Sequence, residues 1–311
     1  MRCPWQPLRG IALAGVALSF NFALLGLASL AIGMTTISAQ LIVPFAAQLA
    51  NPNERGKVVG TVMSGVFIGI LLGRTVSGVV GGSLGWRAMY AIASIVMILL
   101  AVVLSRSVPK SRLSLHLSYV KLMASLLQLV RKYAVLREAA LSGANDIAPF
   151  SAFWSTLVFL LAKPPYQYGS EIAGAFGLVG VVGAMAAPIA GKLTDKRNPK
   201  LTVAFGLTIS TLSFLLMWQF GHQLWGLIIG VILLDLGAQI VLISNQARIY
   251  RLPTEVHSRL NALYIFFYFT GGALGSFLGA YAWSRWGWNG VCAIALLMLG
   301  VAFTTFIKYR R

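Results

Sequence analysis

Acidic residues are scarce in this chain. Only 7 of its 311 residues are Asp or Glu, and charged residues of both signs make up 10% of the sequence. Soluble globular chains carry about 25% charged residues. The scarcity therefore excludes a water-soluble domain and a disordered tail. The 25 Lys and Arg residues give a net charge of +18, but a chain this apolar is not expected to bind nucleic acid.

Residues and motifs typical of enzymes are also few. The two cysteines, Cys3 and Cys292, lie at opposite ends of the chain without a paired spacing, which indicates free thiols rather than a disulfide scaffold. The three histidines lie far apart in predicted loops, so no metal site is expected. No phosphate-cradling Walker loop occurs, which argues against an ATP-driven pump. Neither an enzyme nor a bound cofactor is predicted.

Hydrophobic residues, by contrast, make up 58% of the sequence, and the mean hydropathy is +0.80. A helix needs about 20 apolar residues to cross roughly 30 Å of hydrocarbon. The sequence therefore predicts an all-α multi-pass protein of the lipid bilayer with about ten transmembrane helices. The predicted spans are 5–20, 23–48, 57–81, 86–105, 138–162, 171–191, 201–220, 223–247, 260–283 and 287–307.

The basic residues predict the orientation of these spans. Loops on one side of the predicted membrane hold 21 Lys and Arg residues, and loops on the other side hold three. Because cytoplasmic loops carry the excess of Lys and Arg, both termini are expected in the cytoplasm. This bias accounts for most of the net charge without a charged partner, and a bacterial inner membrane is the expected location.

One long connection, 106–137, separates the fourth and fifth spans. Apolar and polar residues alternate there at helical spacing, which predicts an amphipathic helix. It either lies at the cytoplasmic interface or simply links two bundles. The apolar set is Leu113, Leu117, Val120, Leu127 and Val130, and the polar set is Arg112, His116, Lys121, Gln128 and Arg131.

The chain also contains an internal repeat with an offset of 202 residues. Residues 69–95 match 271–297, most clearly where Gly85-Trp86 meets Gly287-Trp288. Because the basic loops fall on the same side in both copies, the repeat is parallel. The predicted organisation is an incomplete four-helix bundle at 1–106, a linker at 107–136 and a complete six-helix bundle at 137–311. A symmetric first half would start about 65 residues before Met1, so an N-terminally truncated chain is expected.

Two motifs carry a resemblance to a known family. The run from Gly191 through Asp195, Lys196 and Arg197 resembles a cytoplasmic loop signature, Gly-x-Leu-x-Asp followed by basic residues. The glycine-rich stretch 69–82 resembles the fifth-helix motif of antiporters, with Arg74 in place of the usual proline. On these motifs the chain resembles the major facilitator superfamily in its proton-linked drug-efflux branch. The resemblance covers residues 20–308 and implies parallel six-helix halves.

The resemblance also implies roles for both motifs. The loop residues Asp195, Lys196 and Arg197 would latch onto a neighbouring helix, or form a plain basic loop. The glycines of the second motif would let helix backbones approach closely, either as static packing or as a seam for rocking bundles. These packing glycines are Gly69, Gly73, Gly78 and Gly82.

Charges inside the hydrocarbon are costly, so they are candidates for function. Three occur within predicted spans: Arg74, Asp146 and Asp235. The resemblance places Asp146 and Asp235 on cavity-lining helices, together with Trp154 and Gln239. The two carboxylates would bind a proton or a solute charge, with Arg74 as counter-ion. The structural alternatives are a helix cap for Asp146, an interhelical hydrogen bond for Asp235 and backbone contacts for Arg74.

The predicted function is secondary active transport of a small solute by alternating access, with proton-linked efflux as the expected mode. The alternative is a truncated remnant that does not transport, or a membrane interaction scaffold. The two differ because the first helix of the family lines the transport cavity, and the repeat places that helix before Met1.

Overall fold

A computed structural model describes residues 5–36, 55–107, 119–184 and 199–308, and every regular element in these ranges is helical. The all-α fold predicted from the sequence is thereby confirmed. A short 3-10 turn, Thr254–Val256, precedes the last element. The α-helices are α1 Trp5–Ala17, α2 Phe22–Thr35, α3 Arg55–Leu84, α4 Trp86–Ser107, α5 Tyr119–Lys132, α6 Ala134–Ala162, α7 Ser170–Ala184, α8 Pro199–Phe220, α9 Leu224–Ile249 and α10 His257–Lys308.

Local sequence signals set several of these boundaries. Asn21 caps α2, because its side-chain Oδ1 accepts a hydrogen bond of 2.8 Å from the Leu24 backbone N–H. Gly85, between α3 and α4, has φ 82°, and Gly287 has φ 60° and divides α10 into two helical segments. Residues with a Cβ rarely adopt this left-handed region, so glycine at these two junctions lets one helix end and the next begin directly.

The helix boundaries reproduce the repeat. Helices α2, α3 and α4 begin at residues 22, 55 and 86. Helix α9, α10 and the α10 segment after Gly287 begin at 224, 257 and 288. Each pair differs by 202 residues, the offset at which the sequence matches itself. The four helices α1–α4 therefore correspond to α8, α9 and the two segments of α10.

Several helices have the dimensions and surface of membrane spans. Within the described ranges, α4, α6, α8, α9 and α10 are long and apolar enough to cross a bilayer. Their outer faces carry large apolar side chains, among them Phe266, Phe277 and Leu297, whose exposed fractions are 64%, 68% and 70%. Such faces suit hydrocarbon rather than water, in agreement with a multi-pass membrane protein.

The first compact unit comprises Met1–Leu115 together with Ser170–Ala175. Helix α1 packs against α4, where the Ser94 hydroxyl donates a 2.7 Å hydrogen bond to the carbonyl oxygen of Gly10. Helix α1 also touches α2 through Gly15 and Ala28. These contacts join α1, α2 and α4, and α3 packs against α4.

The second unit comprises His116–Gly169 and Phe176–Arg311. Helix α6 lies along the first segment of α10, where Gly271, Gly275 and Gly279 face Ala144, Ala148 and Ala152 at backbone distance. The glycines are required because a Cβ at any of them would overlap the α6 backbone or a methyl group. Trp288 closes this core, since its Nε1 donates a 2.9 Å hydrogen bond to the Met217 carbonyl oxygen.

The linker helix and the start of α7 differ from the predicted division. Leu113 and Leu117 lie outside the described residues. On α5, Leu127 is 58% exposed, whereas Leu129 is buried in the core of the second unit. Val130, which belongs to the predicted apolar set, packs against the same core. The beginning of α7 groups with the first unit, although the sequence placed this helix in the six-helix bundle.

Candidate functional site

Asp146 lies in the middle of α6 and is 1% exposed. Its Oδ1 accepts a hydrogen bond of 3.2 Å from the Ser210 hydroxyl on α8. No described residue donates a hydrogen bond to its buried Oδ2. The alternative that Asp146 caps a shorter helix is wrong, because α6 begins at Ala134, twelve residues earlier, and continues past Pro149. A carboxylate is thus held between helices with one oxygen available for a proton or a cation.

Asp235 lies on α9 and is 7% exposed. It faces Gly180 of α7, where a Cβ would lie 3.0 Å from the Asp235 Oδ2 atom. Even the methyl group of alanine at residue 180 would press on the carboxylate, so the glycine makes room for it. Gln239 follows one turn later and is half-buried, as its spacing from Asp235 predicts.

The two carboxylates of the second unit share a neighbour. Tyr268 on α10 interacts electrostatically with both Asp146 and Asp235. Tyr268 is itself 9% exposed. The two acidic residues that the sequence singled out, on α6 and α9, thus both act electrostatically on one tyrosine of α10.

Trp154 lies two turns after Asp146 on α6 and is half-buried. Its ring packs against Phe150 and Phe153, with centroid separations of 6.1 and 5.4 Å. The aromatic cluster lies on the same helix as Asp146, so this part of α6 carries both polar and apolar side chains. A role for Trp154 and Gln239 in solute binding stays a prediction.

Arg74 belongs to α3 in the first unit and is half-buried. Its backbone carbonyl oxygen lies close to Gly174, where a Cβ would be 2.9 Å from it. The predicted role of its guanidinium as a counter-ion of Asp146 and Asp235 remains a prediction.

The four glycines of the α3 motif differ in their surroundings. Gly78 meets Gly174, where a Cβ would lie 2.9 Å from the Gly174 Cα atom, and its carbonyl oxygen accepts a 3.1 Å hydrogen bond from Ser170. The side chain of Glu171 fills the space beside Gly82. At Gly69 and Gly73, a Cβ would meet no described atom within 4 Å. The structure thus gives two of these four glycines a partner among the described residues.

The cytoplasmic loop motif, Gly191, Asp195, Lys196 and Arg197, lies outside the described residues. Helix α8 begins at Pro199, and the Nζ atom of the next residue, Lys200, lies 3.4 Å from the Glu138 Oε2 atom. The predicted latch therefore stays a prediction, while the residue that follows the motif has a defined ionic partner.

Glu138 is a candidate residue that the sequence reasoning missed. It is 3% exposed on α6, and its Oε2 lies 2.5 Å from Nη2 of Arg248, which is 6% exposed on α9. Because residue 138 stood at the predicted start of a span, it was not counted among the buried charges. Its spacing was the available signal, since 138, 142 and 146 share one face of a helix.

A hydrogen-bond chain leads inward from this ion pair. Nη1 of Arg248 donates to Oδ1 of Asn245 at 3.3 Å, and Nδ2 of Asn245 donates to the Ser142 hydroxyl at 3.0 Å. Asn245 and Ser142 are almost completely buried. Such polar side chains are retained in an apolar interior when each finds a partner, as these do.

Comparisons with known proteins agree with this architecture. The model of the Major Facilitator Superfamily matches residues 8–196 and 140–311. An uncharacterized transporter of Escherichia coli O157:H7, YgaY, is 43% identical over 295 residues, covering 93% of this chain and 75% of the relative. A probable transporter of Streptomyces coelicolor, SCO4007, is 30% identical over 270 residues, covering 86% of this chain and 63% of the relative.

A solved structure has the same fold. It is a bacterial homolog of the human lysosomal transporter Spinster, in an inward-facing and unoccupied conformation. The similarity has a TM-score of 0.70 at 15% identity and covers 98% of this chain and 79% of the other. At this identity the likeness concerns the fold alone.

Proposed function

This chain belongs to the major facilitator superfamily, and we propose that it transports a small solute by alternating access, with proton entry driving solute export. Its relatives are named as transporters, which supports a transport role over an enzyme or a scaffold. We propose that the protein lies in the bacterial inner membrane with both termini in the cytoplasm, because the loops predicted from the sequence hold 21 basic residues on one side and three on the other.

The observation that carries the proton role is the state of Asp146. Its carboxyl group is almost completely buried, and one of its oxygens accepts no hydrogen bond from the described residues. A buried charge without a partner is costly, whereas a protonated carboxyl can remain in an apolar interior. Proton binding to Asp146 would therefore be coupled to how far the site is open to water.

Asp235 is a second buried carboxylate of the second unit, and like Asp146 it interacts electrostatically with Tyr268. Each of the two carboxylates could attract a proton or a cationic group of the solute. This arrangement supports exchange of a proton against a solute at one site, with Trp154 and Gln239 as candidate solute contacts.

Measurement of proton movement in proteoliposomes tests the proposal. A trapped pH-sensitive dye would report proton flux when solutes from a chemically diverse panel are added to one side. We expect flux with at least one solute for the unaltered chain and loss of that flux in Asp146→Asn. Glu255→Gln is the matched control, because Glu255 is an exposed carboxylate in a turn.

The roles of the two carboxylates can be separated in the same assay. If Asp146→Asn abolishes proton flux but still moves solute down its gradient, the residue couples protons rather than binding solute. Full proton-linked flux in Asp146→Asn would overturn the proton role proposed here.

A further inference from the structure

The ion pair between Glu138 and Arg248 is not among the groups proposed above to exchange the proton, but polar side chains lead from it towards Asp146. Glu138, Ser142 and Asp146 follow one another at intervals of four residues on one face of α6, and all three are at most 3% exposed. Eight residues of helix separate the first from the last, which corresponds to about 12 Å. Both buried carboxylates of α6 thus belong to one stripe.

Tyr264 joins the two ends of this stripe. It is completely buried on α10, and its ring lies against Gly143, where a Cβ would be 2.8 Å from the hydroxyl oxygen. Tyr264 interacts electrostatically with Asp146 and with Arg248, and its hydroxyl lies beside Asn245. The polar chain from Glu138 through Arg248 and Asn245 therefore reaches the immediate surroundings of Asp146.

We infer that Glu138 and Arg248 are positioning residues, which fix the polar groups around Asp146 and set the pH at which it exchanges its proton. The inference rests on the proton role proposed for Asp146. Glu138 has the positioning role because its Oε2 lies within ion-pair distance of both Arg248 and Lys200. Among the described residues, Lys200 from α8 and Arg248 from α9 form ion pairs with Glu138. Tyr264 and Tyr268 from α10 interact electrostatically with Asp146, and Asp235 from α9 does so with Tyr268.

The charges of the cluster give the sign of the effect. Glu138, Arg248 and Lys200 together carry one net positive charge. Glu138→Gln raises this to two, which favours the charged form of Asp146 and moves its titration to lower pH. Arg248→Gln reduces it to zero and moves the titration to higher pH. At about 12 Å and an effective dielectric constant of about 20, one unit charge shifts a titration midpoint by about one pH unit.

Infrared spectroscopy of the purified full chain tests this without a known solute. The C=O absorption of protonated carboxyl groups is followed against pH, and the band that Asp146→Asn removes is assigned to Asp146. We expect its midpoint to fall by about one pH unit in Glu138→Gln and to rise by about one unit in Arg248→Gln. In the double variant with Glu138→Gln and Arg248→Gln, the midpoint should lie close to that of the unaltered chain, since the cluster again carries one positive charge.

Matched variants keep the test decisive. Glu255→Gln and Arg251→Gln remove exposed charges from the same turn region and should leave the midpoint unchanged. If the buried single variants fail to fold, Lys200→Gln replaces them, because the Lys200 side chain is 36% exposed. It removes one positive charge and should raise the midpoint, by less than Arg248→Gln because water screens this charge.

The outcomes separate the two proposals. Absence of any carboxyl band that Asp146→Asn removes would refute the proton role and this inference together. A band that disappears in Asp146→Asn, but has one midpoint in the unaltered chain and in the cluster variants, would refute the inference alone. Shifts of the same sign in Glu138→Gln and Arg248→Gln would also refute it, because general destabilisation rather than charge would then be the cause.

Discussion

The glycines that face α6 allow a comparison between the two copies of the repeat. Gly275 on α10 corresponds to Gly73 on α3 by the offset of 202 residues. At Gly275, a Cβ would lie 2.5 Å from the Ala148 Cα atom and closer still to the Ala148 carbonyl oxygen. At Gly73, no described atom lies within 4 Å of a Cβ. We therefore expect Gly275→Ala to destabilise the protein and Gly73→Ala not to.

The magnitude follows from two opposing effects. Alanine is favoured over glycine in a helix interior by about 1 kcal/mol, and this gain is common to both variants. At Gly275 the new methyl group meets backbone atoms, which cannot move aside by changing rotamer. Carbon atoms prefer separations of about 3.5–4.0 Å, so α6 and α10 must part by about 1 Å. Overpacking of this kind costs about 1–3 kcal/mol, and that is the expected difference between the two variants.

Reversible unfolding in mixed micelles measures this difference. The free energy of unfolding is obtained from the loss of helical circular dichroism as the denaturing detergent is increased. Gly300→Ala serves as a control within the second unit, because a Cβ there also meets nothing within 4 Å. It should be neutral or stabilising. Equal losses of unfolding free energy in Gly73→Ala and Gly275→Ala would contradict the prediction. Gly73 would then also have to lie against the backbone of another helix.

Two further predictions concern aromatic residues. Trp288→Phe should lower the free energy of unfolding by about 1–2 kcal/mol, because it removes the donor to the Met217 carbonyl oxygen and leaves a gap. The control Trp86→Phe should change this free energy by less than about 0.5 kcal/mol, since Trp86 is 43% exposed. Equal effects of the two variants in the same unfolding assay would contradict the prediction. Burial, and next the neighbouring Tyr168, raise the pKa of Tyr166 to about 12 from the usual 10. The contribution of Tyr166 to stability is therefore complete below pH 10 and lost as pH rises from 10 to 12, and Tyr166→Phe should lessen this loss; the same alkaline decline in both proteins would argue against it.

The helices were largely predictable because long apolar stretches are a local property of the sequence. A hydrocarbon environment requires backbone hydrogen bonds to be made within each span, so composition alone fixes most boundaries. The junction at Gly287 was likewise visible, because its match with Gly85 marked the end of a span in both copies. In the structure both glycines have positive φ.

The ion pair of Glu138 was not predictable by the same reasoning. Counting basic residues assigns Arg248 and Lys200 to loops, where they indicate orientation and need no partner. Only the packing of α6 against α8 and α9 shows that a carboxylate at the start of α6 faces both cations. Its partners are 62 and 110 residues away in the chain, so no local pattern connects them.

The glycine motif of α3 shows a similar limit of local patterns. Gly69, Gly73, Gly78 and Gly82 look alike in sequence, and each was predicted to form a packing seam. Within the described residues, only Gly78 and Gly82 face another segment, because the start of α7 lies along that part of the helix. A stripe of small residues indicates that close packing is possible, whereas the neighbouring element decides where along the stripe it occurs.

The few acidic residues, finally, differ in whether they are exposed or buried. Of the five that the structure describes, Glu171 and Glu255 are exposed, whereas Glu138, Asp146 and Asp235 are at most 7% exposed and all belong to the second unit. Acidic residues that served solubility would lie at the surface, where a charge costs little. Burial of a carboxylate is expensive unless it is paired or can take up a proton. Glu138 meets the first condition through its ion pair, and Asp146, with one oxygen free of described donors, is suited to the second.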